Sequence, residues 1–418
     1  MKRRSIFNKP GIHSVLASLL AILIGLLAGG IIILIVGLAT PELGIKGAWE
    51  GIRLVFIGIF STGRDLNGAL AFGFNSATFG NMLFRAIPLI MTGLSVALAN
   101  KAGLFNIGAP GQYLAGTAAS LYVALSIPSN VFPPLLIWII ALLSGMLMGA
   151  IWGAIPGMLK AYLNMNEVIA CIMTNWIAAN LVTLFFDESK FRNTLEGTKT
   201  GYIYKTSTIL NDVLVNGEKL TVGEAIPEGA TLLRTRGGVA TPKLGLDKLF
   251  EGSQINGGII VAIVLAIVVY ILLSKTTLGY QLKACGANRY AARYAGIKDK
   301  RNIVLTMAMA GSLAGAGAAL LYLSGNTEFF WNTYLSLPAE GFNGIPVALL
   351  AVNNPTGVIF MGTFMSMLSQ CGQKLKDLTA YNEYITDVII AVIVYMSAFM
   401  LIIKTWIGKI SGKRSVSL

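Results

Sequence analysis

What constrains this chain most is a spacing: apolar runs of about 20 residues recur from one end to the other, parted by short polar breaks. A helix rises about 1.5 Å per residue, so a run of about that length crosses the hydrocarbon of a bilayer. The runs lie near 14–38, 81–99, 107–126, 134–158, 165–186, 257–273, 303–323, 337–352, 355–372 and 385–403. They predict an all-α polytopic membrane protein with about ten transmembrane helices. Only 12 % of the residues are charged, against about a quarter in soluble proteins, so the composition is written for lipid. The run at 14–38 follows a basic start, yet it is longer than the apolar stretch of a signal peptide and lacks a small-x-small cleavage site. It is read as an uncleaved first span.

The net charge is +13, and its placement argues against a nucleic-acid surface. Four basic residues (Lys2, Arg3, Arg4, Lys9) stand in the first ten, and four more (Lys404, Lys409, Lys413, Arg414) in the tail. The segment 274–302 holds Lys275, Lys283, Arg289, Arg293, Lys298, Lys300 and Arg301 against the single acid Asp299. These stretches together carry the whole excess, and the rest is close to neutral. The positive-inside rule puts both termini and 274–302 in the cytoplasm. Counting ten spans from an inside start returns the same answer, with the 40–80 connection outside.

Two stretches depart from the apolar pattern. Residues 187–256 carry nine acidic and nine basic groups and are predicted to lie in water as a small external β-rich insert. LVNGEKLTV, with Asn216 and Gly217 between apolar and polar alternation, has the signature of a type I′ hairpin. The insert is either a docking surface for an external partner or a loop without one. The chain thus divides into a first transmembrane half at 1–186, the insert at 187–256 and a second transmembrane half at 257–418. Segment 48–60 is short and amphipathic, which suits an interfacial helix. In the run 337–352, Pro338, Glu340, Gly341, Asn343 and Pro346 predict a broken or half helix, tolerated at membrane depth only beside protein or a wet cavity. Gly145, Gly149, Gly153 and Gly157, with Gly311 and Gly315 later, line helix faces at the spacing that permits close packing.

The chain offers little for catalysis. It has one histidine, His13, and three cysteines without CxxC spacing, so no metal site, disulfide or cofactor is expected. No phosphate-binding G-x-x-x-x-G-K-[ST] run is present, which places any ATP hydrolysis on another subunit. The polar residues near membrane depth are the candidates for a solute path. Gly103, Gly108, Pro110 and Gly111 break a helix beside Asn106 and Gln112, and freed backbone groups at such a break can meet polar solutes; a packed kink is the alternative. Glu167 opens a span, with Asn175 two turns on; it is either a path residue or a cap or ion-pair partner near Lys160. Glu328, among Phe329, Phe330 and Trp331, suits either a stacking site or an interfacial aromatic belt. Phe342 and Asn343 lie in the broken segment.

Four blocks in order carry a family resemblance: NKAGLFNIGAPGQYLAGT (100–117), MNEVIACIMTNWIA (165–178), CGANRYAARYAGI (285–297) and GFNGIPVALLAVNNPTGV (341–358). The chain resembles, over about 80–400, the permease subunits of ATP-binding-cassette importers for branched-chain amino acids, simple sugars and nucleosides, and the wording is closest to the nucleoside branch. It departs from that pattern at Pro110, where an acidic residue is common.

The resemblance implies a nucleoside path worked by alternating access, with a simple sugar (ribose-like) or a branched-chain amino acid as alternative cargo. A secondary transporter or channel is the alternative of another class. It further implies cytoplasmic ABC ATPase subunits, a second permease subunit of different sequence, an external substrate-binding protein tethered as a lipoprotein, and a plasma-membrane location. The helix predicted at 285–297, led in by Ala287–Asn288 and closed by Gly296, then docks on the ATPase through Arg289, Tyr290, Arg293 and Tyr294. A basic loop drawn to anionic lipid is the plainer reading.

Overall fold

The computed structural model describes residues 10–127, 132–187, 214–215, 218–219, 239–327, 329–330, 337–382 and 384–399. Glu328 lies outside them, as do most of the insert and both basic ends. In chain order the elements are α1 (Pro10–Ala39), α2 (Gly44–Ile57), β1 (Ser61–Arg64), β2 (Leu70–Phe72), α3 (Ser76–Lys101), α4 (Ala109–Ser126), α5 (Pro134–Leu163), α6 (Glu167–Asp187), β3 (Leu214–Val215) and β4 (Glu218–Lys219). They continue with α7 (Leu246–Leu249), α8 (Gly258–Lys275), α9 (Thr277–Ala287), α10 (Arg289–Tyr294), α11 (Asp299–Tyr322), α12 (Ala339–Leu350), α13 (Pro355–Leu378) and α14 (Tyr384–Ala398).

Every one of the ten apolar runs falls on a helix. Among the described residues, six helices are long and apolar enough to cross a membrane: α1, α3, α5, α6, α8 and α11. The other four, α4, α12, α13 and α14, do not reach those limits, so about ten crossings is more than length and apolarity establish. For α4 the reason is physical. Its Gln112, Thr117 and Ser120 are buried, so protein rather than lipid solvates them, and nothing demands an apolar sequence. α12 has 12 residues with Pro346 inside, about 18 Å of helix against a hydrocarbon core of about 30 Å, which is the half helix the sequence predicts.

The chain packs as two units. One comprises residues 1–86, 247–255 and 346–418. Here the predicted amphipathic segment is α2, which buries Ala48, Gly51, Leu54 and Val55 against α1 and α13 and leaves Ile45 and Trp49 exposed. Gly37 and Gly51 make room for the Tyr381 ring, whose hydroxyl donates to the Ile33 carbonyl at 2.8 Å. The hairpin β1–β2, not predicted, turns on Asp65, whose Oδ1 accepts from the amides of Asn67 (2.9 Å) and Ala69 (2.8 Å). Arg64 braces it by pairing with Glu50 at 2.7 Å and donating to the Leu378 carbonyl at 2.6 Å.

The other unit comprises residues 87–246 and 256–345. Its centre is a glycine seam. Gly145, Gly149, Gly153 and Gly157 of α5 lie on Gly315, Gly311 and Met307 of α11, with Gly116 of α4 closing from the side. A Cβ at Gly149 would overlap the Gly311 carbonyl, and one at Gly311 would overlap that of Gly149. Backbones this close gain dispersion contact that larger residues would prevent. The apolar stretch of α11 is accordingly 72 % buried, against 33 % for α8.

Within the insert, β3 and β4 pair antiparallel, Val215 opposite Glu218, with two residues between. In its last part Val239 and Thr241 are buried. The Thr241 amide donates to the Leu323 carbonyl at 2.8 Å, and its hydroxyl accepts from the Trp138 indole at 3.0 Å.

The seam sets a first prediction. Gly149→Ala gains up to about 1 kcal/mol of helix propensity but overpacks the crossing at a cost of about 1–3 kcal/mol. It is expected to lower the thermal-unfolding midpoint in detergent. Gly30→Ala, which meets nothing within 4 Å, leaves that midpoint unchanged or raised.

Candidate functional site

α3 stops at Lys101 because Gly103 takes a left-handed conformation, φ +71°, and the Leu104 amide reaches back to the Ala99 carbonyl at 3.0 Å. This is the Schellman closure that glycine permits. Residues 102–108 follow without helix, and α4 begins at Ala109 with Pro110 in its first turn. The break so formed holds three of the predicted path residues. Asn106 and Gln112, both buried, exchange their amides: Asn106 Nδ2 donates to Gln112 Oε1 at 2.8 Å, and Gln112 Nε2 donates back to Asn106 Oδ1 at 3.0 Å. Asn106 also donates to Ser95 Oγ at 2.9 Å.

Asn175 closes the same break from α6. Its Oδ1 accepts from the Gly111 amide at 2.9 Å, and its Nδ2 donates to the Ile107 carbonyl at 3.0 Å. The Gly111 N–H is one of the donors a helix start leaves without an internal partner. Asn175 therefore caps α4 from a different helix. That approach needs glycine, since a Cβ at Gly111 would come within 2.9 Å of the Asn175 Cα.

The remaining candidates lie around this centre. Glu167, the first residue of α6, pairs with Lys160 in the last turn of α5 at 2.9 Å, an arrangement that suits both helix dipoles. α12 rests on the break: Gly341 abuts Pro110 and Gly344 abuts Thr92, each with room for no side chain. Phe342 and Asn343 project outward from it and are exposed. Pro110, the departure from the family pattern, thus serves as a packing surface.

The predicted basic helix is α10. Asn288 caps it, accepting from the Ala291 amide at 3.0 Å, and Gly296 closes it at φ +80°. Its four candidates divide. Arg289 and Arg293 turn inward onto Asp299, Nε and Nη2 respectively at 2.7 Å from Oδ2, and this bond and charge hold the Arg293 guanidinium above its ordinary pKa. Tyr290 and Tyr294 turn outward, 80 % and 97 % exposed.

Sequence reasoning missed α9, which precedes α10 and is capped by Thr276 accepting from the Gly279 amide at 3.0 Å. Its penultimate residue, Gly286, lies backbone to backbone on the break: a Cβ there would stand 2.6 Å from the Gly103 nitrogen. The signal was present as paired glycines in KAGLF and ACGAN. Among the described residues, no group of three or more His, Cys, Asp or Glu side chains could hold a metal ion.

Six helices among the described residues, each long and apolar enough to cross a bilayer, define a multi-pass helical membrane protein. The chain belongs to the family described as branched-chain amino acid transport system permease component, which matches residues 78–398. It is 35 % identical to the nucleoside ABC transporter permease protein NupB of Lactococcus lactis, over 95 % of this chain and 94 % of that one. To the guanosine ABC transporter permease protein NupP of Bacillus subtilis it is 30 % identical, over 95 % and 97 %. A glucose ABC transporter permease protein of Haloferax volcanii is 28 % identical over 85 % of each. No solved structure matches the chain.

The amide exchange gives a second prediction. Asn106→Leu leaves the buried Gln112 amide without its partner, at about 1–3 kcal/mol, and lowers the melting midpoint of the purified chain. Adding Gln112→Leu removes the stranded group, and the double variant is expected to melt above the single one.

Proposed function

We propose that this chain is the membrane-spanning permease subunit of an ATP-binding-cassette importer for nucleosides. The observation that carries this is the 35 % identity to a nucleoside permease along nearly the whole of both chains. The broken helix supports it, because a backbone interruption at membrane depth belongs where a path is lined. In this reading ten helices cross the membrane, both termini and 274–302 face the cytoplasm, and 187–256 lies outside. Asn106, Gln112 and Asn175 hold the break in shape, Glu167 anchors α6 to α5, and Phe342 and Asn343 face the solute.

Cytoplasmic ATPase subunits drive the cycle, and an external binding lipoprotein supplies solute. The docking helix is α10, with Tyr290 and Tyr294 as its contact residues and Arg289 and Arg293 as the pair that fixes their direction through Asp299. A second, different permease completes the path. Lactococcus lactis has another nucleoside permease protein, and Bacillus subtilis another guanosine permease protein, each 23 % identical to this chain. Two unlike permeases in each organism favour an unlike pair here.

Reconstitution with the partner permease, ATPases and binding protein tests the whole reading: ATP-dependent uptake of labelled nucleoside, not displaced by excess ribose, glucose or leucine, is expected. Uptake of sugar instead would overturn the choice of cargo. Replacing both Tyr290 and Tyr294 with Ala, at exposed positions that leave folding intact, is expected to weaken ATPase binding about tenfold or more and to abolish solute-stimulated hydrolysis. Topology is read by thiol labelling from outside intact cells: Ser207→Cys is expected to react and Ser417→Cys is not.

A further inference from the structure

We propose that Tyr113, Tyr322 and Glu340 form the contact site for the vicinal hydroxyls of the transported solute, an inference that rests on the nucleoside reading above. It begins at Tyr113. This side chain of α4 is wholly buried, and its hydroxyl makes no hydrogen bond among the described residues. The neighbouring amides of Asn106, Gln112 and Asn175 are all bonded, and none of them turns to this hydroxyl. A buried hydroxyl without a partner is destabilising, and phenylalanine would fill the same space without that penalty. A tyrosine here is explained by a partner met during the working cycle.

The surroundings say what kind. Tyr322 of α11 stands edge-on to Tyr113 with ring centroids 6.2 Å apart, Phe329 is 5.1 Å beyond it, and Phe186 of α6 is 5.4 Å from Phe329. Glu340, half-buried in the first turn of α12, is brought to the same end of α4. The chain path explains why it is there. Gly341 abuts Pro110, one turn before Tyr113, so α12 delivers the carboxylate to the turn of α4 that carries the orphan hydroxyl. Asn343, one turn further along α12, shares the face of Glu340.

A carboxylate accepts hydrogen bonds only, from two donors at once, while a phenol both donates and accepts. Aromatic edges and faces hold a flat ring. Together they suit an uncharged solute that carries neighbouring hydroxyls and a planar group. A phosphate or free carboxylate meets repulsion from Glu340, which separates a nucleoside from a nucleotide or an anionic solute. Tyr113 is closed off in the conformation described. Its contact is therefore made in another state of the cycle, with the short α12 as the piece that moves.

The test uses the assembled transporter in proteoliposomes, with guanosine and 2′,3′-dideoxyguanosine as probes. Wild type is expected to favour guanosine by about tenfold or more, since a site built around a hydroxyl rejects its absence. Glu340→Gln is expected to cut guanosine uptake about tenfold and leave the dideoxynucleoside rate in place, so that the ratio falls toward one. Tyr113→Phe is expected to lower guanosine uptake several-fold while the thermal midpoint holds or rises. It carries the test alone where Glu340→Gln fails to assemble. Unchanged guanosine uptake and an unchanged ratio in these variants overturn the site and leave the nucleoside reading standing. A wild type that moves neither probe overturns that reading and the site with it.

Discussion

The structure around the candidate site depends on one constraint: where the chain leaves a helix among packed helices, the backbone groups it frees must find protein partners, because a buried N–H or C=O without one is costly. Here Asn175 answers for the Gly111 amide and the Ile107 carbonyl, and the exchange between Asn106 and Gln112 ties the free segment to the helix that follows. The glycine seam of α5 and α11 is the second half of the same solution. By bringing two backbones into contact it fixes α4, through Gly116, against a rigid support. The break is held from both sides, and the short α12 rests on it through Gly341 and Gly344.

How much of this was legible follows from what solvates each helix. α1, α5, α6 and α8 are exposed over much of their surface, and an exposed face that crosses a bilayer must be apolar at nearly every residue, so their apolar runs are unmistakable. α4 and α12 answer to protein neighbours instead. Their helices could be placed, but their polarity made them poor spans by composition. The hairpin β1–β2 escaped notice because its signal is a single turn, Asp65 to Ala69, with no alternating flanks. The burial of Val239 and Thr241 at the end of the insert gave no signal, because they are uncharged and stand among charged neighbours.

Around the break the polar residues were legible as types and not in their directions. Asn106, Gln112 and Asn175 stood out as amides beside a glycine-rich break, yet no spacing tells that two of them face each other and the third reaches across from α6. Arg289 and Arg293 stood out as a basic pair at helical spacing. Whether they point to solvent depends on Asp299, which looks in sequence like a lone acid outnumbered by bases. Tyr113 gave no signal at all, because a tyrosine in an apolar run is ordinary until its hydroxyl is found without a partner.

The meeting of Gly103 with Gly286 carries a consequence for how force travels in such a molecule. Side chains have rotamers and can absorb a displacement by turning; two backbones in contact have none. In the docking reading proposed above, a push on the loop that carries Tyr290 and Tyr294 meets the end of α3 through main-chain atoms, with no side chain between to turn aside. The tyrosines are exposed, while the contact behind them is made of atoms common to every residue.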